Sequence, residues 1–218
     1  VRFGLLAMSS TQDVRFSEEK VAQGAALVTK LFNASRFVLG AVGYASVDLV
    51  VAPSTATLED RWIASRIQAA KADLDARIGE FDFSKAALGL YDVVFGELCD
   101  WYLEFVKPRL ADSGPELRGH LVWVLRETLL LAHPFIPFVT EELWSHLPAA
   151  ARTDDLLAAA QATPADATLR DAEADATTAQ VIEAIQGVRS WRDGAGVKPG
   201  QELETRLVGL DAESAAII

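Results

Sequence analysis

Between residues 18 and 147 the apolar positions recur every three or four residues in five runs, separated by short polar stretches carrying proline, glycine or serine. That period marks amphipathic helices, in which side chains at i, i+3, i+4 and i+7 share a face. Arg2 to Met8 reads as the end of a helix. Ser17 reads as the N-cap of a long one, with Glu18 and Glu19 in its first turn and apolar residues repeating to about Val42. Gly43 to Ala56, holding Pro53 and several Ser and Thr, reads as a loop. A second helix runs from Thr57, spaced to cap against Asp60, to about Ile78. Asp82 or Ser84 caps the next, which carries Leu88, Tyr91, Val94, Phe95, Leu98, Tyr102 and Phe105 and stops at Pro108. Ser113-Gly-Pro-Glu opens a further helix that Pro134 halts after His133, and a short one follows Pro137 to about Leu147. Such helices with short links predict a mainly α fold, an antiparallel helical bundle over residues 1–147.

The pattern changes at Pro148. Ala, Thr and Asp dominate to Asp175, with Pro164 among them, and 148–175 reads as a linker or a poorly packed, irregular excursion. Ala176 to Trp191 is helical again, Gly194 to Gly200 is a turn, and Leu203-Glu-Thr-Arg-Leu-Val alternates as one strand. Residues 176–218 therefore predict the start of a small, partial α/β segment, and a chain beginning inside an apolar stretch and ending in a helix reads as an excised piece.

Within the first long helix, 100° steps put Leu27, Val28, Leu31, Phe32, Ala34, Val38 and Leu39 on one broad apolar side. Phe37 falls on the opposite side between Lys30 and Asn33, with Arg36 and Thr29 beside it and the small residues Ala26, Gly40 and Ala41 around it. An exposed ring flanked by an ammonium, an amide and a guanidinium offers an unstacked nucleobase a platform and its phosphates a charge. The same ring covered by a neighbouring helix would be ordinary packing.

Lys30-Leu-Phe-Asn33-Ala-Ser-Arg36-Phe37-Val resembles the signature that opens the anticodon-binding helical domain of valyl-tRNA synthetases. The resemblance continues in order through Asp60-Arg-Trp-Ile-Ala-Ser-Arg66, Phe81-Asp-Phe, Cys99-Asp-Trp-Tyr-Leu-Glu-Phe-Val-Lys-Pro108 and Leu131-Ala-His-Pro-Phe-Ile-Pro-Phe-Val-Thr-Glu-Glu-Leu-Trp144. It covers nearly the whole chain and is weakest over 148–176. Isoleucine and leucine enzymes share the general plan. Where the family often has an aromatic-Arg-Asn run, this chain has Gly24, Ala25 and Ala26. The resemblance implies a class I synthetase anticodon-binding bundle followed by a junction domain, with a tRNA anticodon arm and the remainder of the synthetase as partners. It implies RNA contact by Lys30, Asn33, Arg36 and Phe37, and ATP with magnesium as cofactors of the full-length enzyme. No cofactor is expected within these residues: both ATP-site signatures of the family, His-Ile-Gly-His-like and Lys-Met-Ser-Lys-Ser-like, are missing. The alternatives are the equivalent domain of an isoleucine-type enzyme and a helical protein-interaction scaffold, in which Phe37 would be a protein contact.

Charge modifies this picture without reversing it. A net charge of -11 opposes broad phosphate binding. The deficit is uneven: residues 1–50 carry +1, whereas 51–147 and 148–218 carry -6 each. An acidic body with a less acidic face discourages indiscriminate nucleic-acid binding, and no DNA partner is expected. Apolar runs interrupted by charge or proline predict no membrane span. A single cysteine, Cys99, fits a reducing cytoplasm and reads as a small buried hydrophobe. Asp100-Trp-Tyr102 points in three directions on a helix and forms no catalytic set. His120, His133 and His146 lack cysteine or carboxylate partners at ligand spacing, so no metal or catalytic residues are assigned.

Overall fold

The computed structural model describes residues 1–8, 13, 15–43, 49–111, 114–198, 200–202, 209, 212–215 and 217, and shows a helical bundle without a strand among them. The strand expected at 203–208 lies outside the described residues. The helices are α1 (Arg2–Leu6), α2 (Glu18–Val42), α3 (Leu58–Gly79), α4 (Phe83–Tyr91), α5 (Leu103–Val106), α6 (Pro115–Ala132), α7 (Pro137–Ser145), α8 (Ala172–Gly194) and α9 (Ala212–Ala215). From Asp92 to Tyr102 the backbone joining α4 to α5 is wound as a π-helix, a winding concentrated at functional sites.

Local chemistry sets the boundaries. The Ser17 hydroxyl accepts from the Lys20 amide and the Asp82 carboxylate from the Lys85 amide, each satisfying one orphan donor of a first turn. Thr57 precedes α3 but makes no capping bond; its hydroxyl accepts from Arg109 instead. α2 buries Leu27, Leu31, Ala34, Val38 and Val42. By length and composition it could cross a bilayer, with mean hydropathy 1.3 over its most apolar stretch, which the interrupted runs in the sequence did not lead us to expect. The inward stripe accounts for much of that apolarity: core helices of bundles reach the same values.

α3 occupies the centre, packing against α4, the π segment, α6 and α8. It buries Trp62, Ile63 and Ile67, and with them Glu59, Asp60, Ser65, Gln68 and Lys71. Each polar side chain finds a partner, as burial requires. Arg109 donates to both oxygens of Asp60, at 3.0 and 2.9 Å, and Tyr102 donates to the same carboxylate at 3.3 Å. Lys71 is ion-paired with Glu127 of α6 and donates to Thr163. The Gln68 carbonyl accepts from the Asp166 amide, and Ser65 accepts from the Asp171 amide while donating to Asp175.

Residues 148–171 are irregular apart from two 3-10 turns, yet they do not hang free of the bundle. They lie along α3 through these bonds, bury Ala151 and Leu157, and are held at α7 by Trp144 donating to the Asp154 carbonyl and by Glu141 accepting from two backbone amides. The expectation of poor packing rested on sparse apolar residues and overlooked polar side chains on α3 as the anchors.

The loop preceding α3 is fixed at two points on α6. The Ser54 amide donates to His120 Nδ1 at 2.8 Å, and a Cβ built on Gly119 would lie 2.0 Å from the Val50 carbonyl oxygen. Gly119→Ala therefore destabilises the fold by about 1–3 kcal/mol although alanine is the better helix former, a change read from the urea midpoint. Burial lowers the His120 pKa from 6.5 to about 4, with Asp60 and Glu116 acting to raise it and Arg109 to lower it. The unfolded chain thus takes up the proton first. This contribution to stability is complete above pH 6.5 and is lost as pH falls toward 4, by about 3 kcal/mol at ~1.4 kcal/mol per unit. Urea titrations at a series of pH values should show that loss in the native chain and a flatter profile in His120→Gln.

Candidate nucleic-acid interface

α2 presents two separate grooves, because successive residues on a helix point about 100° apart. The first, about 530 Å³, lies between α2 and the π segment and is lined from α2 by Ala26, Thr29, Lys30, Asn33, Ala34 and Phe37, and from the other wall by Phe95, Cys99, Leu103, Glu104 and Lys107. The second, about 550 Å³, lies between α2 and α7 and takes Phe32 and Arg36 from α2, with Leu143, His146 and Leu147 opposite. Lys30, Asn33 and Phe37 therefore share a site, and Arg36 stands outside it.

Phe37 is half-buried against the core, not fully exposed as the wheel of 100° steps implied; the π segment rises beside it. Phe32, assigned by the wheel to the buried side, is 43% exposed at the rim of the second groove. Asn33 is exposed, and its amide has no hydrogen-bond partner among the described residues. Arg36 is exposed and makes no ion pair among the described residues. Lys30 is engaged: its ammonium pairs with Asp100 and sits 3.6 Å from the centroid of the Phe95 ring. On the wall opposite α2, Lys107 pairs with Glu104 at 2.5 Å.

The floor of the first groove is chemically quiet. Cys99 is buried, and desolvation pushes its thiol up to about 12, far from the thiolate a nucleophile or metal ligand requires. No cluster of His, Cys, Asp and Glu among the described residues is arranged for a metal. Phe95, Asp100, Glu104 and Lys107 are the lining or pairing residues that helical periodicity missed, since they lie about 70 positions from α2 and only the fold brings them there. Tyr102 is fully buried, while Trp101 is half-buried with the Arg189 guanidinium 5.3 Å from its ring.

The bundle has the architecture of a class I synthetase helical domain. It is shared with LeuRS of Agrobacterium radiobacter, solved in a ternary complex with tRNA and LeuAMS, at a TM-score of 0.60 and 21% identity over 79% of this chain and 20% of that one. Residues 60–207 match the anticodon-binding domain of tRNA ligases, and the chain belongs to that family. Curated relatives include Valine--tRNA ligases of Dehalococcoides mccartyi, 35% identical over 94% of this chain, Geobacter sulfurreducens, 35% over 100%, and Thermosynechococcus vestitus, 34% over 100%. The chain spans about a quarter of their length, 24% and 25% for the first two.

Because Phe37 packs partly on the core, Phe37→Ala should cost about 1–2 kcal/mol of folding stability, below the roughly 3–5 of a fully buried phenylalanine. Thermal or urea unfolding of the variant checks this.

Proposed function

We propose that this chain reads the anticodon of a valine tRNA as part of a valine–tRNA ligase. The observation that carries the reading is the aromatic groove of α2 with its paired lysines, found in a chain alignable over almost its whole length with valine enzymes. Within it Phe37 is the stacking surface, the unbonded Asn33 amide matches the donor–acceptor pair on an adenine edge, and Lys30 supplies charge. Arg36 acts from the other flank of α2, where a planar guanidinium beside the exposed Phe32 suits a neighbouring base or phosphate. Valine anticodons share a middle adenine and a third-position cytosine, two adjacent bases for two adjacent grooves.

The role is positional: holding the anticodon arm brings the distant acceptor end to the catalytic centre. The whole enzyme would use ATP with magnesium to activate valine in the cytoplasm, transfer it to tRNA and edit mischarged threonine, in parts of the protein other than these residues. We further propose that residues 1–147 form the anticodon-binding bundle, 148–175 a linker that is irregular up to the start of α8 at Ala172, and 176–218 the start of a junction domain. Its similarity to valine enzymes favours this identity over an isoleucine-type one.

A valine anticodon hairpin titrated onto the chain tests the reading. Phe37→Ala should weaken binding by about 1–3 kcal/mol, the usual range for one base–aromatic stack, while circular dichroism still shows a folded bundle. Affinity should fall gently with salt, with a slope reflecting about two to four phosphate contacts. Arg36→Lys should lose discrimination between hairpins whose last two anticodon bases are adenine-cytosine and adenine-uracil. Unchanged affinity in both variants removes the anticodon assignment for this face.

A further inference from the structure

The Lys30 ammonium lies 3.6 Å above the centre of the Phe95 ring, close to the ~3.4 Å rise between stacked bases. It occupies the layer a base would take on that ring. Phe95 is held by Tyr91, stacked at 4.9 Å between centroids with 14° between planes, so the ring is fixed before any ligand arrives. Phe95 and Phe37 line the same groove from opposite elements. The ammonium is also tied to Asp100, whose side chain is 47% exposed.

From this arrangement we infer that the groove takes one unstacked nucleobase between Phe37 and Phe95, that the base displaces the Lys30 ammonium from the Phe95 ring, and that Asp100 holds the lysine back until it does. The inference rests on the anticodon reading above and adds a second aromatic wall and a restraint to it. The exchange is favourable because partly exposed ion pairs and cation–π contacts are small terms, whereas a base–aromatic stack is a larger one. Once off the ring, the ammonium reaches the backbone phosphate that enters with the base, exchanging a carboxylate partner for a phosphate. Empty, the groove stays neutralised by Asp100, so passing polyanions meet no free charge there.

The test uses the whole chain, a valine anticodon hairpin with 2-aminopurine at the middle anticodon position, and four variants: Phe95→Leu, Asp100→Asn, Lys30→Met and the Asp100→Asn/Lys30→Met pair. Phe95→Leu keeps an apolar side chain but removes the π face. It should lower affinity about 5- to 150-fold and restore much of the 2-aminopurine fluorescence quenched on binding, with the melting temperature recorded alongside. Asp100→Asn should raise affinity, by up to about fivefold, in the native chain but not when Lys30 is methionine. Native binding with unchanged affinity and quenching in Phe95→Leu overturns the two-walled site and leaves the anticodon reading standing. An Asp100→Asn gain that persists in Lys30→Met reduces Asp100 to a general repulsive charge and overturns the restraint. No binding by the native chain overturns both.

Discussion

A charged or amide side chain withdrawn from water must be paired, and α3 withdraws five polar side chains at once. The architecture follows from where their partners come from. Asp60 requires Arg109 and Tyr102, which fixes the far end of the π segment and α5 against the start of α3. Lys71 requires Glu127, which fixes α6. Ser65 and Gln68 require backbone amides from the irregular stretch before α8. Apolar contacts fill the space between these helices, but they are non-directional; the polar pairs select one register.

The groove on α2 inherits its shape from that register. One wall is the π segment, anchored at its end by Tyr102 to Asp60, and the other is the exposed flank of a helix whose opposite stripe is buried. Phe95 and Cys99 reach the groove from the same segment that sends Val94 and Leu98 into the core. A rigid aromatic wall facing a half-buried phenylalanine is preorganised for a flat ligand, so little conformational freedom is lost on binding. The carboxylates Asp100 and Glu104 beside Lys30 and Lys107 keep the groove close to neutral on an acidic body, which favours a ligand that brings a flat ring as well as phosphates.

Helix existence and most boundaries were legible in the chain, because capping residues, prolines and a strong three-to-four period are local signals: Ser17, Asp82, Pro115 and Pro137 all stand where helices begin. Lys30, Asn33 and Phe37 could be gathered from helical spacing alone. Arg36 could not be separated from them, since the groove it lines is made by α7, more than 100 residues later. The exposure of Phe37 was misjudged for the same reason: a wheel shows which way a side chain points and not what stands opposite. The attachment of residues 148–171 left no periodic trace, because backbone amides do the bonding and any residue but proline carries one.

The anchoring of that irregular stretch has a bearing on how the protein can be divided. By helix pattern alone Leu147 looks like a natural end, since the last helix before the composition change finishes at Ser145. A chain stopped there would leave Gln68 and Ser65 without the amides that satisfy them, and would strip Ala151 and Leu157 from the core. The cut would pass through the interior of the folded body. Modularity in this molecule follows the reach of its central helix, and a graft or excision that respects it must carry the sequence through at least Asp175, the residue that receives the Ser65 hydroxyl.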